Sequence, residues 1–306
     1  MNLTHRDYSE QLGDFNRLCR FVIQLNTPGR PRSTFPLGRI VDWKYGLYDN
    51  KRAYPAFCDQ NAHLWFDGFG ELAGFVVSES GDAGFAILTL DGYRFLYAEM
   101  LEWVLETWRE RGPGFSTEAS EHQGLEAAAL EHCGFRRTDT FFTRRFDLTG
   151  ELKPRLPLEE GFTIVDMAAH PDYRAQRIMR DDGFSNKVPT EEELERELRF
   201  YNFGHRDPIY HPHTDLCVMA PDGRFVAGCE ALIDAHNAEA EIERVCTHSA
   251  FRKRGFARAC IQECLYRLRD MGIRSAYITG YSEAAIALYG SLGAVEETKM
   301  YVFERE

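Results

Sequence analysis

The stretch that decides the fold is Glu241-Ile-Glu-Arg-Val-Cys-Thr-His-Ser-Ala-Phe-Arg-Lys-Arg-Gly-Phe-Ala-Arg258. It begins with the alternation of a β-strand, passes through a basic loop, and enters a helix after Gly255. Ile261, Cys264 and Leu265 lie on one face of that helix. The first turn of a helix has unpaired N–H groups and the positive end of the helix dipole, so this pattern favours a phosphate site. An ordinary solvated basic loop is the alternative.

The neighbouring segments predict a sheet around this helix. Alternating apolar residues indicate strands over residues 215–220, 224–233 and 238–247, and a further strand over 275–280. Antiparallel hairpins that feed a helix and a returning strand imply an α/β fold, with a mixed, mostly antiparallel sheet flanked by helices.

The chain repeats itself once. Residues 125–135 match residues 284–294 when Gly134 is laid on Gly293, and the same offset of 159 superimposes two long amphipathic helices. Two copies favour two similar domains over a solenoid. The Pro- and Gly-containing segment 148–161 is typical of a linker, which predicts domains over residues 1–150 and 151–306.

Two segments resemble the GNAT superfamily of acyl-CoA-dependent N-acyltransferases. Arg252-Lys-Arg-Gly255-Phe-Ala257 meets the family signature of Gln or Arg, two residues, Gly, one residue, and Gly or Ala, and residues 285–293 are similar to a later family helix. The resemblance is strong over residues 160–306 and covers residues 1–148 in outline. It implies two tandem GNAT-like domains, an arrangement also found in mycothiol synthases, with acetyl-CoA as cosubstrate.

The resemblance also implies a set of cofactor contacts. The pyrophosphate would lie on the N–H groups of residues 252–257, and the pantetheine arm would pair with residues 245–247 where neighbouring strands diverge. Ser282 stands where the family often has an Asn that contacts the pantetheine. The predicted acetyl-CoA contacts are Val245, Cys246, Thr247, Arg252, Lys253, Arg254, Gly255, Phe256, Ala257 and Ser282.

Acetyl transfer to an amine needs a proton acceptor and an acid for the leaving thiolate. Glu241 and Glu243 share one strand face, so one is expected to be the base and the other to bind the substrate ammonium; a solvent-facing strand edge is the alternative. Tyr289 is the expected acid, by resemblance, or else a core aromatic. The backbone N–H of Val245 or Cys246 would polarise the acetyl carbonyl, while the Cys246 thiol is expected to fill space rather than to form an acyl-enzyme.

The first repeat is expected to be degenerate. At the offset of 159, Gly255 corresponds to Leu96, and Tyr289 corresponds to Leu130, which has no hydroxyl. A side chain in place of the loop glycine crowds the phosphates. The sequence therefore predicts one active site, in the C-terminal domain.

The predicted function is acetyl-CoA-dependent N-acetyl transfer to a primary amine by direct attack. The amine is a small molecule or a peptide, and the acyl-chain preference stays open. A non-catalytic acyl-CoA-binding sensor or interaction module is the alternative. Glu241, Glu243 and Tyr289 beside the loop favour the enzyme.

Composition limits the partners. The formal charge of −12 disfavours nucleic acid and anionic membranes. The eight scattered cysteines, without a C-x-x-C pair, suit a cytoplasmic protein, and no signal peptide or membrane span is expected. His211 and His213 have no compact second cluster nearby in sequence, so no metal is expected. A monomer or homodimer is expected.

Overall fold

A computed structural model describes residues 3–46, 56–204 and 207–306 of the chain. The periodic apolar segments of the sequence form helices and strands in this structure. The helices are α1 Asp14–Leu25, α2 Leu37–Tyr45, α3 Phe57–Gln60, α4 Tyr97–Thr107, α5 Gly124–His132, α6 Tyr173–Ser185, α7 Glu191–Gly204, α8 Phe256–Asp270 and α9 Glu283–Gly290. The strands are β1 Thr4–Asp7, β2 Ala62–Phe66, β3 Leu72–Val77, β4 Ala86–Thr89, β5 Phe115–Ser120, β6 Arg136–Asp147, β7 Thr163–Asp166, β8 Leu216–Met219, β9 Phe225–Asp234, β10 Glu239–Thr247, β11 Ser275–Gly280 and β12 Glu296–Arg305.

The chain forms two units. The first contains Met1–Phe141 and Thr298–Glu306, and the second contains Phe142–Glu297. This division differs from the expected boundary after residue 150, because β6 runs on into the second unit and the chain end returns to the first. The first unit thus contains most of β12, from the end of the chain, and β6 spans the boundary between the units.

The first unit contains an antiparallel sheet in the order β1-β2-β3-β4, and an antiparallel pair of β5 with β12. Its core is rich in aromatic residues. Trp65, Tyr97, Trp108, Phe135 and Phe303 are all buried in one apolar cluster, which β3 and α4 complete. Burial of this apolar surface is the main stabilising contribution to the unit.

The second unit has the strand order β6-β11-β10-β9-β8-β7. Only β10 and β11 pair in parallel; the other neighbouring pairs described in this unit are antiparallel. Ala227, Cys229 and Ala231 of β9 pack towards α8 in one core cluster. On the opposite face, Met179 of α6 packs against Gly228 and Cys246. This unit is therefore a sheet covered by helices on both faces, as the strand pattern predicts.

The internal repeat is seen in the positions at which corresponding helices begin. An offset of 159 residues carries Tyr97, the first residue of α4, onto Phe256, the first residue of α8. It also carries Gly124 of α5 onto Glu283 of α9. The predicted strands over 215–220, 224–233, 238–247 and 275–280 correspond to β8, β9, β10 and β11.

In the parts of the chain that the structure describes, no helix combines the length and the apolar character needed to cross a bilayer.

The close approach of α6 to β10 depends on Gly183. A Cβ at this position would lie 2.9 Å from the Cβ of Cys246. We expect Gly183→Ala to lower the free energy of unfolding by about 1–3 kcal/mol, because a well-packed site must move to accept the methyl group. Urea denaturation of the full chain measures this change.

Gly124→Ala is the matched control, since a Cβ there has no neighbour within 4 Å. We expect its stability to stay the same or to rise by up to about 1 kcal/mol. Equal stability of the two variants would contradict tight packing at Gly183.

Candidate functional site

The site is built on a β-bulge in β10. Glu243 lies opposite Glu230 of β9, and the next pair is Cys246 with Gly228, so Arg244 and the following residue together face a single residue of β9. Arg244 has a φ of 52°, in the left-handed region that non-glycine residues seldom adopt. A bulge of this kind bends the strand and increases its twist.

The bulge coincides with the end of pairing between β10 and β11. The parallel register covers Glu239–Glu241 with Ser275–Tyr277, although β10 continues to Thr247 and β11 to Gly280. The two strands therefore diverge and leave an open wedge over residues 242–247. Val245, Cys246 and Thr247, the predicted pantetheine contacts, lie on this wedge.

The loop after β10 presents a row of free backbone donors. Lys253 and Gly255 have φ values of 64° and 82°, and α8 begins at Phe256 with no side chain capping its first turn. Within the described parts of the chain, none of the backbone N–H groups of residues 253–258 has an acceptor. Successive free N–H groups at a helix N-terminus favour an anion, so the phosphate site at residues 252–257 stays a prediction.

The three cations of this loop have different environments. Arg252 donates to the carbonyl oxygen of Gly183 at 2.9 Å, and Arg254 pairs with Glu159. Lys253 has no partner among the described residues. The backbone and Lys253 are therefore the groups most available to an anion.

Sequence reasoning missed the residue that fixes the start of the loop. Asp182, near the end of α6, accepts hydrogen bonds from the backbone N–H and the hydroxyl of Ser249, and its carboxylate lies 3.1 Å from His248 Nδ1. Burial opposes ionisation, but the bonds from Ser249 and the nearby positive charges hold the pKa of Asp182 below its ordinary value. Nothing in a helical Asp-Asp pair signals this role, because the partner lies 67 residues away.

The predicted bases lie on the polar face of β10. Glu239, Glu241 and Glu243 alternate with Ala240 and Ile242, which are buried in the core under α8. Glu241 is 9% exposed and lies in register with Tyr277, whose hydroxyl donates to Glu239 at 3.1 Å. Glu243 is half-buried.

Buried charges from neighbouring elements line the same face. Arg180 of α6 bridges Glu230 and Asp215 at 2.8 and 3.0 Å, and Arg244 also contacts Glu230. Burial raises the pKa of Asp215. The three glutamates of β10 lie on the same face, so it carries more carboxylates than guanidinium groups.

Tyr289 is placed where the strands diverge. Its ring packs against Gly280 at the end of β11, where a Cβ would lie 3.1 Å from the ring, and the residue is 6% exposed. Burial and the charge of Glu243 raise the pKa of Tyr289 above its ordinary value. Among the described residues, the Tyr289 hydroxyl has no hydrogen-bond partner.

Ser282 and Cys246, two further predicted acetyl-CoA contacts, also contact neighbouring residues of the protein. The Ser282 hydroxyl caps α9 by accepting from the N–H of Ala285 at 3.3 Å. Cys246 is buried beside Met179, and burial raises the pKa of the Cys246 thiol to about 12. The thiol therefore stays protonated near neutral pH, which disfavours a role as nucleophile.

The ring centroids of His211 and His213 lie 5.6 Å apart. Over residues 3–46, 56–204 and 207–306, no group of three His, Cys, Asp or Glu side chains suits a metal ion.

Comparison with known protein families finds one match, which lies within the second unit. Residues 182–294 match the acetyltransferase (GNAT) family, and this segment contains the bulge, the loop, Tyr289 and Ser282. Comparison with curated proteins finds no match.

Solved structures share the fold over the whole chain. A GCN5-related N-acetyltransferase from Sphaerobacter thermophilus is 19% identical with a TM-score of 0.67, and the match covers 99% of this chain and 95% of that one. A tandem GNAT protein from the clavulanic acid biosynthesis pathway is 15% identical with a TM-score of 0.66, covering 100% and 98% of the two chains. Residues 182–294 thus match the GNAT acetyltransferase family, within a chain that shares the fold of a tandem GNAT protein.

Proposed function

We propose that the second unit transfers an acetyl group from acetyl-CoA to a primary amine by direct attack in a ternary complex. The observation that carries this proposal is the wedge after Glu241, followed at once by free N–H groups at residues 253–258. The match of residues 182–294 to the acetyltransferase (GNAT) family supports acyl-CoA-dependent acetyl transfer in general. The amine acceptor and the position of the active site are our proposals.

The loop would hold the pyrophosphate of acetyl-CoA. The N–H groups of residues 252–257 converge at the N-terminus of α8, and Lys253 adds a positive charge without a competing partner. Asp182 and the Arg252 contact to α6 hold the loop before the ligand arrives, which reduces the ordering that binding requires.

The wedge would orient the thioester. The backbone groups on the open side of β10 would pair with the pantetheine arm as with an added strand. They belong to Val245, Cys246 and Thr247. Acetyl-CoA supplies the activated acyl group, and the N–H of Val245 or Cys246 would stabilise the negative charge that develops on its carbonyl oxygen. The Ser282 hydroxyl keeps its hydrogen for a contact to the pantetheine.

The acidic face would receive the amine. An alkylammonium with a pKa of about 10.4 is almost fully protonated at neutral pH and must lose a proton before it attacks. One of Glu241 and Glu243 would accept this proton, and the other would pair with the ammonium. Tyr289, whose hydroxyl has no described partner, would donate to the leaving sulfur.

The cytoplasm is the proposed location, and we propose that the chain works as a monomer or homodimer. All eight cysteines are free thiols, which agrees with a reducing compartment.

The first functional prediction concerns Gly255. We expect Gly255→Glu to weaken acetyl-CoA binding at least 100-fold, because it adds strain at a φ of 82° and a negative charge at the anion site. Isothermal titration calorimetry measures the affinity.

Gly272→Glu is the matched control, because Gly272 also has a positive φ and open space around its Cβ. It follows the far end of α8, about 22 Å from the loop. We expect its affinity to equal that of the wild type. Unchanged affinity in the Gly255 variant would contradict the proposed cofactor site.

The second functional prediction concerns the acid. We expect Tyr289→Phe to lower kcat about 100-fold with little change in acetyl-CoA affinity, because only the hydroxyl is lost. Since the folded state raises the pKa of Tyr289, the wild-type rate should not fall through loss of this proton up to about pH 10. Steady-state kinetics with a primary amine measure both effects.

The base is tested by pH. We expect Glu→Gln at the true base to make kcat/KM rise about tenfold per pH unit up to the pKa of the amine, because only pre-deprotonated amine then reacts. Glu241→Gln and Glu243→Gln are compared, and the variant of the ammonium-binding residue should instead raise KM. Wild-type behaviour in both variants and in Tyr289→Phe would place the chemistry elsewhere. Acetyl-CoA binding without acetyl transfer to any amine would support the alternative function, a non-catalytic acyl-CoA-binding sensor or interaction module.

A further inference from the structure

We propose that Arg180, Asp215 and Glu230 are positioning residues, which hold the bulge of β10 in the conformation that acetyl transfer needs. This inference rests on the proposed function and adds to it, because none of the three residues is a predicted acetyl-CoA contact or a predicted catalytic group. All three are buried, with exposures of 7%, 0% and 4%. Their role follows from a chain of contacts that ends at Arg244.

The bulge contains a residue whose backbone needs support. Arg244 has a φ of 52°, and residues other than glycine adopt this left-handed region only at a cost in free energy. Such conformations persist where the surrounding contacts hold them. The peptide group after Arg244 carries the N–H of Val245, one of the two donors proposed for the acetyl carbonyl. The direction of this N–H therefore depends on the conformation of Arg244.

Glu230 contacts Arg244 from the neighbouring strand. One oxygen of its carboxylate accepts from the guanidinium of Arg244, and the other accepts from Arg180 Nη2 at 2.8 Å. In the register of β9 with β10, Glu230 lies opposite Glu243, the last paired residue before the bulge. Both oxygens of Glu230 are thus engaged beside the bulge, so its carboxylate cannot turn away without losing one of these contacts.

Asp215 is the fixed end of the chain of contacts. Its carboxylate is completely buried and accepts from Arg180 Nη2 at 3.0 Å. It also accepts from the side-chain amide of Gln176 at 2.7 Å and from the hydroxyl of Tyr210 at 2.9 Å. The same nitrogen of Arg180 therefore joins a firmly held carboxylate to Glu230.

We call Asp215, Arg180, Glu230 and Arg244 the buried ion chain, and fold stability does not account for it. Removal of charged groups from water costs about as much free energy as their pairing returns, so a buried ion pair is weak evidence for stability. Burial raises the pKa of Asp215, which means that the folded state disfavours the ionised form of this carboxyl. Contact with a left-handed backbone at the bulge gives the buried ion chain a role that stability does not.

The first test removes the middle of the buried ion chain and keeps the charges balanced. The double variant Arg180→Met/Asp215→Asn loses one positive and one negative charge and leaves Glu230 paired with Arg244. We expect Tm to stay close to that of the wild type, because uncharged residues can replace a buried ion pair without loss of stability. Amide hydrogen exchange over residues 242–248 should become faster by about fivefold or more, because the bulge opens more often.

Kinetics separate positioning from folding in the same double variant. We expect kcat with a primary amine to fall by about tenfold or more, because the N–H donors no longer meet the acetyl carbonyl. Acetyl-CoA affinity should stay within about threefold of the wild type, since the loop at residues 252–257 is unchanged. A fall in Tm together with loss of acetyl-CoA binding would show that the buried ion chain only supports the fold. Wild-type kcat and wild-type exchange would show that it does not hold the bulge, and either result would overturn the proposal.

Asp166→Asn/Arg267→Met is the matched control. It removes the same types of side chain from a pair of the same unit, which joins the end of β7 to α8 at 2.5 Å. Over the described residues, this pair has no bond to the bulge. We expect exchange over residues 242–248 and kcat to equal those of the wild type. Faster exchange in the control, equal to that of the first double variant, would overturn the proposal.

Two variants of Arg244 test whether the buried ion chain acts through the backbone. Arg244→Gly and Arg244→Ala both lose the contact with Glu230, but only glycine adopts a positive φ without strain. We expect kcat of Arg244→Ala to lie about fivefold or more below that of Arg244→Gly. Equal kcat values in the two variants would overturn the proposal.

Failure of the proposed function gives a different result. A wild type that binds no acetyl-CoA, or that transfers no acetyl group to an amine, would contradict the proposed function and with it the positioning role in acetyl transfer. The comparison of hydrogen exchange needs neither ligand nor activity. It would then still decide whether the buried ion chain holds the bulge.

Discussion

The bulge at Arg244 and Val245 is the constraint on which the rest of the second unit depends. An extra residue in one strand of a pair bends that strand and increases its twist. Pairing of β10 with β11 ends at Glu241 and Tyr277, close to the bulge, and the proposed pantetheine contacts are the residues that follow. The bulge is itself held by the packing of Cys246 against Met179 and by the contact of Arg244 with Glu230.

The two units have similar helices and strands but differ in the loop before the long helix. Each has a long helix after a central strand, at equivalent places in the repeat. In the second unit, glycine and a left-handed lysine leave the helix N–H groups free. In the first, a 3₁₀-helix uses the equivalent donors. The proposal that only the second unit holds acetyl-CoA follows from this local difference in backbone geometry.

Much of this architecture is predictable from the sequence, because it depends on local patterns. Alternating residues mark β9 and β10, and the offset of 159 is visible from Gly134 and Gly293. The inclusion of Thr298–Glu306 in the first unit is not predictable in this way, since strand pairing is set by long-range packing. The partners of Asp182 and Arg254 lie 67 and 95 residues away in the sequence. Their contacts change which cations of the loop remain available, and no local pattern reports them.

The central claim is that one unit of the two holds acetyl-CoA. Calorimetric titration of the full chain with acetyl-CoA tests it most directly, because the heat curve gives the stoichiometry without assuming any acceptor. The account predicts one molecule per chain. A second site of comparable affinity would show that the first unit also binds the cofactor, and would contradict the account.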